Sequence, residues 1–260
     1  MFPLIFFVCL FVANIRASPL LIARQSITTL STSQISPFKP YSYFASAGYC
    51  NPSTTSTWSS NCEANPGFET TASGGDGDDV QYWFVGYNPL SDEVIVSHQG
   101  TDTADLMWLC YLPNWILRSS QEFLARSKFT SDSPMNRQSA AITLLDSVYL
   151  PLHLPTSTIF TTICYGLPRV GNQNFANYID AHSHLTHINN KKDPIPILPG
   201  EFLGFVHPTG EIHIQSSGDW DACPGQDNPS DLCIVGDVPN IFEGDESDHD
   251  GPYDGVDMGC

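Results

Sequence analysis

Positive charge is scarce in this 260-residue chain: 10 Lys and Arg stand against 28 Asp and Glu, a net charge of −18. A field of that sign repels nucleic-acid backbones and anionic membrane surfaces, so no nucleic-acid partner is expected. The last 68 residues contain no Lys or Arg but 15 of the acidic residues, which excludes a polybasic anchor there. No run of about 18 apolar residues occurs, so no transmembrane segment is expected. Asn-x-Ser/Thr with x other than Pro is absent, and with it the acceptor for N-glycosylation. No C-x-x-C spacing is present, and neither a metal nor a cofactor is expected.

What is present is a globular composition, 41% apolar and 15% charged. Residues 2 to 13 form an apolar run too short to cross a bilayer and suited to the centre of a secretory signal, with Ala17 before a cut ahead of Ser18. The expected division is therefore 1–17 as signal peptide, 18–36 as a Ser/Thr-rich propeptide or loose arm, and 37–260 as a single domain, secreted and monomeric. Export favours disulfides. Cys50 and Cys62 bracket one short loop and Cys223 and Cys233 another, so each pair is expected to close its own ring, with Cys110, Cys164 and Cys260 left over.

The chain then reads as alternating elements. Phe38 to Tyr49 mixes aromatics with Ala as a short core helix does, and Gly74 to Asp79 is a strong turn signal. Val80 to Tyr87 and Glu93 to His98, separated by Asn88-Pro89, predict a hairpin. Ala140 to Tyr149 reads as a helix, Thr158 to Tyr165 as a buried strand, Asn172 to Ala181 as a helix and Leu185 to Asn189 as a strand. That order favours an α/β fold with a mostly parallel central sheet and helices on both faces. No internal repeat is visible.

Three positions carry candidate chemistry. The turn Ser97 to Asp102 places Gly100 and Thr101 after a strand, where a backbone N–H and a hydroxyl can face a developing oxyanion. Asp193 follows the strand ending at Asn189, and His249 lies far downstream in a Gly/Pro/Asp-rich segment. A strand-end Asp followed by a loop His is the order of the last two members of a Ser…Asp…His triad in α/β-hydrolases. The stretch Tyr165 to Ile197 (YGLPRVGN at its start), the turn Ser97 to Asp102 and the tail Asp245 to Tyr253 resemble the fungal class 3 lipases, the family that also holds feruloyl esterases. The resemblance covers residues 38 to 101 and 140 to 260.

It implies an α/β-hydrolase-like fold and a serine carboxylic-ester hydrolase acting on lipid esters, with the lipid–water interface as a place of action. By position, Asp193 would be the triad acid, His249 the general base and Thr101 an oxyanion-hole donor. His207 and His213 read as packing or surface residues. His182, His184 and His187 read as surface loop and strand positions, and Asp248, Asp250 and Asp254 as a solvated acidic surface.

One part of the pattern is missing. The family's nucleophile stands in G-x-S-x-G, and this chain contains no such motif. Reading back from Ala140 to Tyr149, which resembles the helix after the nucleophile, the five elbow positions fall on Met135 to Ser139, with Arg137 where the serine belongs. The elbow strand also is absent, because Ser127 to Pro134 is too polar to be a central strand. The nucleophile is thus unknown: Ser139 is a weak candidate and a better N-cap. Two readings follow, an ester hydrolase inactive as written, or a secreted, lipase-like binding protein without catalysis.

Overall fold

The computed structural model describes residues 26–58, 60–77, 80–100 and 139–260. Strand β1 (Thr28–Thr29) pairs antiparallel with residues 221–222, and the Thr29 hydroxyl donates to the Asp221 carboxylate at 2.6 Å. After the short helix α1 (Thr32–Ile35), Phe38 stacks on Trp220 with ring centroids 6.2 Å apart. Helix α2 (Lys39–Ala47) carries Pro40 in its first turn, where the missing N–H costs no hydrogen bond.

Phe44 on α2 enters an aromatic cluster with Trp58, Phe68 and Phe84, whose centroid distances run from 4.2 to 6.5 Å. Each such pair contributes about 0.5–1.5 kcal/mol beyond the area it buries. Trp58 lies just beyond α3 (Pro52–Thr55), and the rings cover one face of an antiparallel sheet: β2 (Glu69–Gly74), β3 (Trp83–Asn88) and β4 (Glu93–His98). Gly86 makes this packing possible, because a Cβ there would lie 2.4 Å from the Phe68 ring. The predicted hairpin is β3–β4, register Trp83↔His98 to Asn88↔Glu93.

The described chain resumes with α4 (Ser139–Tyr149), whose Leu144 is fully buried against Cys164, Leu167 and Ile179. Then follow β5 (Thr162–Tyr165), the short β6 (Gly171–Asn172), α5 (Gln173–His182) and β7 (Leu185–Asn190). Asn172 caps α5 by accepting from the N–H groups of Asn174 and Phe175, each at 3.1 Å. Strand β8 (Phe205–Val206) pairs with β6, and β9 (Glu211–Ile214), β10 (Trp220–Cys223) and α6 (Ile234–Asp237) complete the set of labelled elements.

The central sheet has the order β1-β10-β9-β7-β5. It is parallel from β5 through β7 to β9 and antiparallel from β9 through β10 to β1, so the α/β-hydrolase-like class holds with a mixed rather than mostly parallel sheet. One face presents Ile188, Ile212, Ile214 and Trp220 to a core that includes Tyr253 and Met258. The opposite face, by strand alternation, carries His187, Asn189, Glu211, His213 and Asp221, all buried.

The disulfides correct one expectation. Cys223 and Cys233 are bonded, but Cys50 is bonded to Cys260, 210 residues away, and Cys62 is a free buried thiol. The cause is packing: Cys62 belongs to the Phe44–Phe68–Phe84 cluster, while the C-terminal tail runs back along α2, where Ser46 Oγ donates to Gly259 O at 2.8 Å. Cys164 is also free, and burial pushes its thiol up to about 12.

Candidate active site

Strand β7 ends at Asn190, and the turn Lys191–Lys192–Asp193 places the Asp193 carboxylate, itself sealed from solvent, beneath the C-terminal loop. One carboxylate oxygen accepts from Ile195 N–H at 2.8 Å. The other lies 2.8 Å from His249 Nδ1. That bond selects the tautomer protonated on Nδ1 and leaves Nε2 without this partner, with His249 lining the adjoining cavity. Burial alone would lower the imidazole pKa, but the Asp193 charge and hydrogen bond, helped by Asp250, hold it above the ordinary value.

The ring rests on backbone. Gly166, the residue after β5, has φ +57°, and a Cβ there would stand 2.5 Å from His249 Cε1 and 2.9 Å from Asp193 Oδ2. Glycine is therefore required twice at this position, for its left-handed conformation and for the approach of the imidazole. The loop holding His249 is fixed from behind: Tyr253 Oη donates to His249 O at 3.1 Å, and the Tyr253 ring meets Tyr165 edge-on at 5.0 Å.

The cavity has a volume of about 760 Å³. It runs between β4 and β5, each an edge of its own sheet among the described residues, with α4 packed against both. Ile163, Leu150, Leu154 and Ile159 give it apolar walls, and Ile159 is 86% exposed at the surface. A second imidazole–carboxylate pair, His98 Nε2 to Asp146 Oδ2 at 2.9 Å, ties the end of β4 to α4 on the same cavity. Tyr49 reaches the far end of β4, where a Cβ on Gly100 would collide with its hydroxyl.

Of the residues expected from sequence, Asp193 and His249 are brought together. Thr101 and Arg137 lie outside the described residues, and Ser139 is the first residue of α4. Among the described residues no hydroxyl is hydrogen-bonded to the His249 ring. His207 and His213 are buried rather than on the surface, and the three histidines 182, 184 and 187 do not converge: His182 and His184 are exposed, whereas His187 is sealed against His207. The one group of potential metal ligands among the described residues, Glu211 with Cys223 and Cys233, has both sulfurs committed to a disulfide. Sequence reading missed Gly166, Tyr49, Tyr253 and the pair His98–Asp146; only Gly166, directly after a predicted strand, carried a local signal.

Residues 139–203 match the sequence profile of Lipase (class 3). A secreted mono- and diacylglycerol lipase of Malassezia restricta is 37% identical over 93 residues, 34% of this chain and 30% of that protein. Another, from Malassezia globosa, is 35% identical over 133 residues, 47% of this chain and 41% of that protein. The matching parts thus span well under half the length of these relatives. Among solved structures, lipase II from Rhizopus niveus superposes with a TM-score of 0.67 at 20% identity, covering 90% of this chain and 99% of that one. Lip2 lipase from Yarrowia lipolytica gives 0.67 at 15% identity, covering 90% and 98%. The class 3 lipase sequence pattern is thus found over residues 139–203, from α4 to the turn that carries Asp193 and just beyond, and the chain shares the fold of these solved lipases over 90% of its length.

Proposed function

We propose that this chain is a secreted, lipase-type ester-hydrolase scaffold in which Asp193 and His249 are the acid and base of a Ser-His-Asp mechanism. The observation that carries the reading is the 2.8 Å bond between them, buried and facing an apolar cavity. Asp193 would hold the imidazole in the tautomer that takes a hydroxyl proton at Nε2 and returns it to the leaving alcohol. The apolar rim at Leu154 and Ile159 suits an acyl chain, and mono- or diacylglycerols, the substrates named for the Malassezia relatives, are the proposed class. The apolar run at residues 2 to 13 and the names of those relatives support export.

The sequence has no G-x-S-x-G, so the base has no nucleophile in the family's position and turnover is expected at a trace level only. Loss of a triad serine removes several powers of ten from kcat, and without the G-x-S-x-G sequence the elbow N–H that serves the oxyanion hole is not expected either. The purified chain, tested with short and long p-nitrophenyl esters and a serine-directed phosphonate, should show neither robust turnover nor stoichiometric labelling. Labelling of Ser139 at one equivalent would overturn this. The missing motif also favours a second reading, a lipid-binding protein without catalysis. Saturable binding of a fluorescent fatty-acyl probe in the cavity, lost when Leu154 and Ile159 are replaced by Asp, would favour it.

A further inference from the structure

The turn that presents the acid also grips the loop that presents the base, at points away from the acid–base bond itself. Asn190 Nδ2 donates to the Asp248 carbonyl at 2.8 Å, and Lys192 N–H donates to Asp248 Oδ2 at 3.2 Å. Lys191 Nζ lies 3.3 Å from Asp248 Oδ1, and Asp245 N–H donates to Lys192 O at 2.8 Å. Three consecutive residues, Asn190 to Lys192, thus make four bonds to a segment ending one residue before His249.

The grip has a backbone cost. Lys191 has φ +42°, a left-handed conformation that a lysine rarely adopts. It is held there by its own N–H, which donates to Ile214 O at 2.8 Å, and by its ammonium on Asp248. Of the other charged groups here, the Lys192 ammonium is engaged by Asp237, the Asp245 carboxylate caps Ser247 and feels the Lys191 charge without an ion pair, and the Asp250 charge acts on the His249 ring.

We propose that Asp248 is a positioning residue for the acid–base pair: by binding Lys191 and the Lys192 N–H, it fixes the His249 backbone at the height at which Nδ1 meets Asp193. This deepens the hydrolase reading by assigning to Lys191-Lys192-Asp193 a double task, presenting the acid and aligning its partner. The sequence places these lysines as the last two cations of the chain, in an otherwise acidic third, where a carboxylate from the tail is the group they meet.

The test is NMR of the full chain labelled at histidine, following the His249 ring titration and the downfield Nδ1 proton of its bond to Asp193. Asp248→Asn should weaken or abolish that proton signal and bring the titration down toward 6.5, the ordinary value. Lys191→Met should do the same to a smaller degree. Asp254→Asn, which removes a charge from the same terminal segment but touches Lys39 instead, should change neither. Unchanged signals in folded Asp248→Asn, or in Lys191→Met should the first variant fail to fold, overturn the proposal, as does an equal shift in Asp254→Asn. Ester turnover and phosphonate labelling, measured on the same samples, report separately on the hydrolase reading: an inert chain with the expected shifts keeps the positioning role.

Discussion

His249 and His187 are both sealed inside the molecule, on opposite sides of the central sheet, and burial drives them in opposite directions. His187 stacks on His207 with centroids 5.0 Å apart. Desolvation, reinforced for His187 by the neighbouring imidazole and for His207 by Arg169, lowers both to about 3. Each has one backbone carbonyl at Nε2, Pro208 O at 3.3 Å and Pro196 O at 2.7 Å, and no partner at Nδ1. His249 loses as much water but faces Asp193, and its pKa is raised. Burial makes an imidazole neutral; a buried carboxylate makes it a base able to hold a proton. The stacked pair is held neutral by its surroundings, whereas His249 is held ready to take a proton.

The largest expected effect separates the two sites by pH. His187 and His207 hold fewer protons folded than unfolded, so their contribution is complete above about 6.5 and is lost as pH falls toward 3. Glu211, on the same buried face, is raised to about 7, chiefly by desolvation; its contribution is complete below 4.5 and is lost as pH rises to 7. His249, raised, also loses its contribution as pH rises past 6.5. On the acid side the loss from the two histidines outweighs the gain from Glu211, so unfolding free energy should peak near pH 6.5 and fall by several kcal/mol toward pH 3. Urea midpoints measured from pH 3 to 9 check this; a plateau from pH 6.5 down to 4 would contradict the account of the stacked histidines.

The tail that carries His249 is anchored at its end by Cys50–Cys260. In the chain-entropy account a loop of 210 residues is worth about 5 kcal/mol, against about 3 for the ten-residue ring of Cys223–Cys233. Replacing Cys50 and Cys260 by Ala should therefore destabilise more than replacing the other pair, and should broaden the His249 resonances while leaving those of His187 sharp. Equal losses in urea would mean that the long loop is already constrained in the unfolded chain.

Glu211 allows a smaller and cleaner change. It accepts from Ile234 N–H at 2.7 Å, a bond that the amide oxygen of Glu211→Gln can keep. The variant loses the carboxylate that must stay protonated as pH rises, so it should match the wild type near pH 4.5 and exceed it by about 3 kcal/mol above pH 7. A variant less stable at both ends would show that the carboxylate is ionised in the fold.

How much of this was readable in the sequence depended on whether the cause was local. Helices α2, α4 and α5, the hairpin β3–β4 and strand β7 follow from apolar periodicity and turn residues, and the chain order of Asp193 and His249 singled out two residues that the fold brings within hydrogen-bond distance. Strands β9 and β10 escaped notice because Glu211, His213 and Asp221 are polar residues on a buried face, a pattern that mimics a half-exposed strand or a loop. The Cys50–Cys260 bond joins residues that proximity in sequence argues against, and Cys62 was a nearer but mistaken partner because its burial among aromatics has no local mark. The grip of Lys191 and Lys192 on Asp248 spans 56 residues or more and exists only once the sheet is built.

The finest test turns His249 into a copy of His187. Asp193→Asn keeps the volume but has one oxygen where the carboxylate has two: an amide that accepts from His249 Nδ1–H turns its NH₂ toward Ile195 N–H, so the fold should lose about 1–3 kcal/mol near pH 7 through that buried bond, while the neutral imidazole itself loses little. What changes is the protonated ring, which no longer faces a carboxylate and is left with desolvation opposed by Asp250 alone. Its titration should therefore cross from above 6.5 to below it, with the stability loss growing below pH 6.5, where the wild-type ring would be charged. The amide can also present its NH₂ to Nδ1 and invert the tautomer, which removes the base at Nε2 without moving the ring. Histidine NMR distinguishes the two sites directly: His187 should titrate as before, and a His249 midpoint still above 6.5 in folded Asp193→Asn would show that Asp250 or the tail, rather than Asp193, sets the character of this base.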